Sequence, residues 1–249
     1  MSQRWEEWGV GVPWHTWRHA VKLDPERPLS EAALASVLCC GTDAVIIGGS
    51  SGVTRENTGS LLERLRGRGL PVALEVSSPA IAAPGADLYL IPSVLNTADA
   101  GWVVGRHARV AAMLGDIIPW DLLLPEAYIV LNPESTVARL TGADCDLDDV
   151  AVAGYAALAG QLWRLPLVYV EYSGTFGDPQ TVFNIRRAAG AARVVYGGGI
   201  DSAAAAAAMA AVADTVVVGN LVYQAPERLI ETVRSVREQD QLAPPRRGT

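Results

Sequence analysis

Eight short apolar runs recur along the 249-residue chain, and most are followed by a stretch with a helical pattern. The runs are Ala20 to Asp24, Asp43 to Gly49, Pro71 to Ser77, Leu88 to Val94, Ala127 to Asn132, Leu167 to Ser173, Val194 to Ile200 and Thr215 to Asn220. Helical patterns lie at Ser30 to Cys40, Thr54 to Arg68, Ala98 to Leu114, Asp148 to Trp163, Pro179 to Ala189, the Ala-rich run near Ala203, and Pro226 to Arg237. Cap residues agree with these bounds. Ser30, Thr54 and Asp178 sit where helix N-caps belong, Pro179 takes a first helical position, and Gly41 and Gly69 stop their helices. Strands that alternate with helices argue for a parallel sheet. Eight units in about 240 residues match a (β/α)8 TIM barrel, which typically has ~250. An open doubly wound sheet is the runner-up, disfavoured because no GxGxxG follows the first strand. Residues 1–240 read as a single barrel domain, and 241–249 as a disordered C-terminal tail.

One unit breaks the alternation. The connector between the third and fourth runs, SPAIAAPGAD, holds Pro79, Pro84 and Gly85. It is too short and too rich in proline for a crossover helix. The fold class is therefore α/β, a modified (β/α)8 TIM barrel lacking the third helix. Either the loop packs down over the strands, or an apolar groove stays open there.

Composition narrows the partners. Half the residues are hydrophobic and 19% are charged, so a large core is available and disorder is not expected. A formal charge of -7 argues against nucleic acid, which basic patches bind. The first twenty residues contain Arg4, Glu6, Glu7 and Arg18 and no apolar signal segment. No run reaches the ~20 apolar residues needed to span a bilayer. Cys39, Cys40 and Cys145 lack metal-ligand spacing; adjacent Cys39 and Cys40 sit inside an apolar helical run and read as buried thiols, consistent with a cytoplasmic location. His15, His19 and His107 match no metal spacing either; His19 reads as a packing residue and the other two as surface. Trp5, Trp8, Trp14 and Trp17 read as anchors that close the barrel base.

In such a barrel the chemistry sits at the C-terminal strand ends, and the loops after strands seven and eight are a frequent phosphate seat. Those two strands end in Gly197, Gly198 and Gly199 and in Gly219 and Asn220. Backbone without Cβ atoms can approach a ligand closely and turn N–H groups toward an anion. Lys22 and Asp24 share one face of the first strand. They read as a buried ion pair, or as a phosphate cation (Lys22) beside a Mg²⁺ ligand (Asp24). Tyr169 and Glu171 share one face of the sixth strand and point into the barrel mouth, which makes Glu171 the first candidate for a general base and Glu75 the second. The Gly48 to Ser50 turn adds a weak anion-site signal.

HAVKLDP, GTDAVIIGGSSGVT, LEVSS, YLIPSVLN, YIVLNP, VYVEYSG, VVYGGGI and VVVGNLVY, in order from His19 to Tyr223, resemble the geranylgeranylglyceryl phosphate synthase/PcrB family. The resemblance implies a modified barrel with the third helix replaced. It implies a Mg-dependent prenyltransferase that moves a prenyl group from a prenyl diphosphate to the hydroxyl of sn-glycerol-1-phosphate, forming an ether and releasing diphosphate. Carried over by motif, Asp24 would bind Mg²⁺ with Ser50 beside the metal and diphosphate. Lys22, Tyr169, Gly197, Gly198, Gly199, Gly219 and Asn220 would hold the acceptor, and Glu171 would contact its hydroxyls and take the proton, with Lys22 assisting. Val110 falls where relatives that favour shorter chains carry a bulky aromatic. Ser51 departs from the Asp of many bacterial relatives. A homodimer and a peripheral membrane contact for product release are further expectations. The alternative keeps the fold and uses 3-phosphoglycerate with farnesyl diphosphate, which needs one more cation, for instance Arg106 or Arg139. A barrel isomerase or aldolase and a non-catalytic lipid-binding barrel are readings from other classes.

Overall fold

The computed structural model describes residues 11–242. Trp5, Trp8 and the tail from residue 243 onward lie outside the described residues. Eight parallel strands close into a barrel in sequence order. They are β1 (His19–Leu23), β2 (Ala44–Ile47), β3 (Val72–Glu75), β4 (Leu88–Val94), β5 (Leu123–Val130), β6 (Leu167–Glu171), β7 (Arg193–Gly197) and β8 (Thr215–Val218). Closure is completed by β8 pairing with β1, with Ala20 opposite Val217. The doubly wound alternative is excluded by this closure.

The helices are α1 (Glu31–Cys39), α2 (Arg55–Leu65), α3 (Arg106–Leu114), α4 (Thr136–Thr141), α5 (Asp149–Ala157), α6 (Pro179–Ala188), α7 (Ala203–Ala210), α8 (Leu221–Gln224) and α9 (Leu229–Leu242). Ser30, Thr54 and Asp178 cap their helices as the sequence suggests, Thr54 in a reciprocal capping box with Asn57. The last helix runs past both Arg237 and residue 240, to Leu242. Tail residues 241 and 242 are helical.

Two apolar clusters follow from the alternation of side chains along each strand. One fills the barrel interior and includes Ile46, Leu90, Leu124, Val195 and Val217, closed at the base by Trp14 and Trp17. The other lies between the strands and the outer helices and includes Val21, Val45, Ile129, Val170, Tyr196 and Val216. Burial on both faces is why these strands read as continuous apolar runs.

Between β3 and β4 there is no crossover helix, only a single 3₁₀ turn, Pro79–Ile81. Ile81, Ala83 and Ala86 are buried, and the Tyr89 hydroxyl donates to the Ala83 carbonyl at 3.1 Å. The loop therefore packs down over the lower part of the strands. Val76 and Ile91 remain half-buried above it. The next helix, α3, is unusual in having no buried residue, and Val104, Met113, Ile117 and Trp120 around it are exposed.

Three smaller expectations change. Cys39 is exposed, and only Cys40, the C-cap of α1, is turned inward. His107 is half-buried rather than on the surface, since its ring Nε2 meets the Pro92 carbonyl at 3.1 Å and ties α3 to β4. His15 is likewise half-buried. Among the described residues no helix is long and apolar enough to cross a membrane.

Candidate functional site

The strand ends open into a cavity of about 460 Å³. Ten of the residues singled out from the sequence line it, Lys22, Asp24, Ser50, Tyr169, Glu171, Gly197, Gly198, Gly199, Gly219 and Asn220, whereas Glu75, the second general-base candidate, does not. Glu171 is at the end of β6 and is buried, yet it makes no ion pair among the described residues. Its Oε2 accepts the Tyr128 hydroxyl at 2.7 Å, and its Oε1 accepts the Ser173 N–H at 2.5 Å. Each oxygen keeps a second lone pair for a substrate hydroxyl. Burial and the adjacent Glu171 charge push the Tyr128 phenol well above its ordinary range, so it stays protonated and donates. Tyr128 in turn stacks on Tyr169, with ring centroids 4.7 Å apart and planes 9° from parallel.

Tyr128 was missed in the sequence. It lies inside the fifth apolar run but four residues before its end, whereas β5 itself begins at Leu123, ahead of the strand-breaking Pro125. The inward alternation Leu124, Glu126, Tyr128, Val130 was the signal available. Glu126 was missed with it. It is buried, and neither carboxyl oxygen has a hydrogen-bond partner. Burial, then Glu75, raises its pKa well above the carboxylate range, so it is held as the neutral acid.

Lys22 pairs with Glu75, not with Asp24. Its Nζ donates to both Glu75 oxygens at 2.9 Å, and it lies 5.3 Å from the Tyr169 ring centroid. Burial by itself would lower the Lys22 pKa, but Glu75, then Tyr169 and Glu171, raise it well above its ordinary value. Lys22 is therefore a fixed ammonium, which does not suit Schiff-base chemistry. Glu75 is occupied as its counter-ion, which removes it as the rival general base.

Asp24 opens a turn, Asp24-Pro25-Glu26-Arg27, closed by the Arg27 N–H donating to the Asp24 carbonyl at 3.1 Å. Its Oδ1 accepts the Glu26 N–H at 3.0 Å. Burial raises its pKa; the Glu26 N–H that it accepts opposes the rise, the Glu26 charge adds to it, and Arg27 opposes it. A Cβ on Gly49 would collide with the Asp24 carboxylate, so glycine there makes room for that group. Ser51 donates to Glu26 at 3.2 Å, which places a carboxylate beside the position where the sequence departs from the family pattern.

The glycines differ in what the missing side chain makes room for. A Cβ on Gly197 would run into the Tyr169 hydroxyl, one on Gly198 into the Tyr172 backbone, and one on Gly199 into the backbone of Thr175 and Phe176. Gly198 and Gly199 also have φ of 150° and 60°. The bare backbone of this triplet thus admits Tyr169 and the loop after β6, and all three residues also line the cavity. Gly219 differs: the nearest atom to its Cβ position is the Lys22 carbonyl at 3.8 Å, leaving open space toward the cavity.

A metal at Asp24 would have few protein ligands, since no cluster of three His, Cys, Asp or Glu side chains exists among the described residues. Mg²⁺ characteristically takes one or two carboxylates and fills its octahedron with water and substrate phosphate oxygens, so Asp24 with Ser50 at the same rim fits it.

The fold and the site define a (β/α)8 barrel whose mouth holds a buried carboxylate, Glu171, beside the glycine-rich ends of β7 and β8. Residues 12–237 match the model of the PcrB family, and the chain belongs to that family. It is 45% identical over 222 residues to the heptaprenylglyceryl phosphate synthase of Geobacillus kaustophilus (strain HTA426), covering 89% of this chain and 93% of that protein. It is 47% identical over 221 residues to the protein of the same name from Bacillus cereus (strain ATCC 10987 / NRS 248), covering 89% and 96%. Among solved structures, (S)-3-O-geranylgeranylglyceryl phosphate synthase from Thermoplasma acidophilum, in complex with its substrate sn-glycerol-1-phosphate, superposes with a TM-score of 0.79. It is 28% identical and covers 89% of this chain and 94% of its own.

Proposed function

We propose that this protein transfers a prenyl group from a prenyl diphosphate to a hydroxyl of sn-glycerol-1-phosphate, with Mg²⁺. The observation that carries the reading is Glu171, held by Tyr128 and Ser173 at the floor of a cavity whose rim carries Asp24, Gly219 and Asn220, in a member of the PcrB family. The names of its relatives support the glycerol phosphate acceptor and a long isoprenoid chain such as heptaprenyl.

The acceptor's phosphate would lie at Gly219 and Asn220, where backbone N–H groups and open space coincide. Its hydroxyl then points toward Glu171. As the C1–O bond of the donor breaks, its electron pair leaves with the diphosphate and positive charge grows on the allylic C1. The acceptor oxygen forms the new bond to C1, and Glu171 takes the proton from that oxygen. Bound Mg²⁺ would neutralise the departing diphosphate, with Asp24 and Ser50 as the protein groups holding it. The donor's tail would run past Val76 and Ile91, where the third helix is missing, along α3. Val110 is a small side chain on that path. A homodimer and a membrane contact for product release belong to the same proposal, and Val104, Met113, Ile117 and Trp120 are the exposed apolar side chains available to them.

The two cations named for 3-phosphoglycerate do not favour it, and the names of the relatives point to glycerol phosphate. Arg106 stacks on Trp102 and Arg139 bonds within its own helix turn, and neither lines the cavity. Incubation with Mg²⁺, prenyl diphosphates of graded length and each acceptor tests the reading. Diphosphate release with sn-glycerol-1-phosphate is expected, and its absence at every length would reject it.

A further inference from the structure

Among the described residues only two cationic side chains line the cavity, Lys22 and Arg27. Lys22 is already neutralised by a two-pronged bond to Glu75. Arg27 makes no ion pair among the described residues, so its charge is the one not spent on a protein carboxylate. Its position is fixed from three sides. It ends the Asp24 turn through its own N–H, its guanidinium lies 3.7 Å over the Tyr223 ring, and its Nη1 donates to Asn220 Oδ1 at 2.8 Å. Tyr223 is itself fastened to that turn, since its hydroxyl oxygen accepts the Asp24 N–H at 2.8 Å. The first and last loops of the barrel are thus stapled around a guanidinium that has used one of its five N–H donors.

We propose that Arg27 is an anion-binding residue for the departing diphosphate, a role that rests on the prenyl transfer reading above. The charge count favours this anion. An acceptor phosphate at Gly219 and Asn220 has backbone N–H groups available to it. The diphosphate gains negative charge as the C1–O bond breaks and needs a donor besides a metal at Asp24. Arg27 hangs from the same turn as Asp24, and its planar fork suits two phosphoryl oxygens at once. The stacking on Tyr223 holds the fork ready, so little side-chain freedom is lost on binding.

The test is calorimetric titration of the wild type, Arg27→Gln and Arg27→Lys with inorganic pyrophosphate plus Mg²⁺ and, separately, with sn-glycerol-1-phosphate. Thermal melts confirm that each variant is folded. Arg27→Gln is expected to weaken pyrophosphate binding about tenfold or more, as loss of a charge-assisted hydrogen bond does, and to leave glycerol phosphate binding within about twofold. Arg27→Lys keeps the charge without the fork and falls between. Unchanged pyrophosphate binding in folded Arg27→Gln overturns the inference and leaves the prenyl transfer reading standing. A loss confined to glycerol phosphate also overturns it, by moving Arg27 to the acceptor's seat. A wild type that binds neither ligand overturns the reading of the whole site and the inference with it.

Discussion

At the scale of single residues, two glycines separate structure from ligand binding. Gly197 has no Cβ because the Tyr169 hydroxyl occupies that space. Gly197→Ala is therefore expected to destabilise the fold by about 1–3 kcal/mol, the usual cost of overpacking a filled core, read as a lower melting temperature without ligand. Gly219 faces open space, so Gly219→Ala should melt like the wild type while binding sn-glycerol-1-phosphate more weakly. Both glycines looked alike in the sequence. Bare backbone at a strand end shows that something comes close, but only tertiary contacts tell whether the visitor is protein or ligand. Lys22 carries the same lesson. Its neighbour two residues on, Asp24, was the visible partner, whereas Glu75 reaches it from 53 positions away. Burial of Glu126 gives another residue-scale expectation. A carboxyl without partners costs stability, and one whose folded pKa is raised costs most above its unfolded pKa of ~4.3. Glu126→Leu, apolar and of similar size, should raise the melting temperature at neutral pH and change it less at pH 4.

At the scale of elements, the break in the alternation was legible and its consequence was partly so. Pro79, Pro84 and Gly85 exclude a crossover helix, and none forms. That the loop would bury Ile81, Ala83 and Ala86 was not legible, because a Pro-rich loop of small apolar residues can pack inward or stay out. The start of β5 was hidden by Pro125, opposite Ile91 in β4, and with it went Glu126. Helix α3 was found, but not that it rests on the barrel without burying a residue. Elements with few buried contacts open locally at low free energy. Amide exchange over residues 101–114 is therefore expected to be the fastest of any barrel helix, and slower once a prenyl diphosphate is bound. If the donor tail follows α3, Val110→Trp should shift the preferred chain toward shorter lengths, seen in products from a mixture of diphosphates.

At the scale of the whole molecule, the last helix locks the base of the barrel. Arg18, in the approach to β1, bonds to Asp240, and Arg237 pairs with Asp43. His19 sits between the hydroxyls of Thr42 and Thr232, at 2.9 and 3.0 Å. Burial is the main reason its pKa drops from 6.5 to about 4; Asp43 opposes the drop and Arg237 adds to it. The folded state thus binds fewer protons than the unfolded chain between these values. Stability from this group is complete above pH 6.5 and is lost as the pH falls toward 4, by about 3 kcal/mol in all. Denaturant midpoints across that range should show the loss, and His19→Gln should flatten the slope.

The barrel mouth unites these scales, since Glu171 is aimed by a residue from β5, seated by β6 and faced by the loops of β1 and β8. The most direct measurement compares kcat and acceptor affinity for the wild type and Glu171→Gln, with Mg²⁺, a long prenyl diphosphate and sn-glycerol-1-phosphate. The expected result is turnover by the wild type, a fall in kcat of about 10²-fold or more in the variant, and an unchanged Kd for sn-glycerol-1-phosphate. A variant that turns over as fast as the wild type would contradict the account.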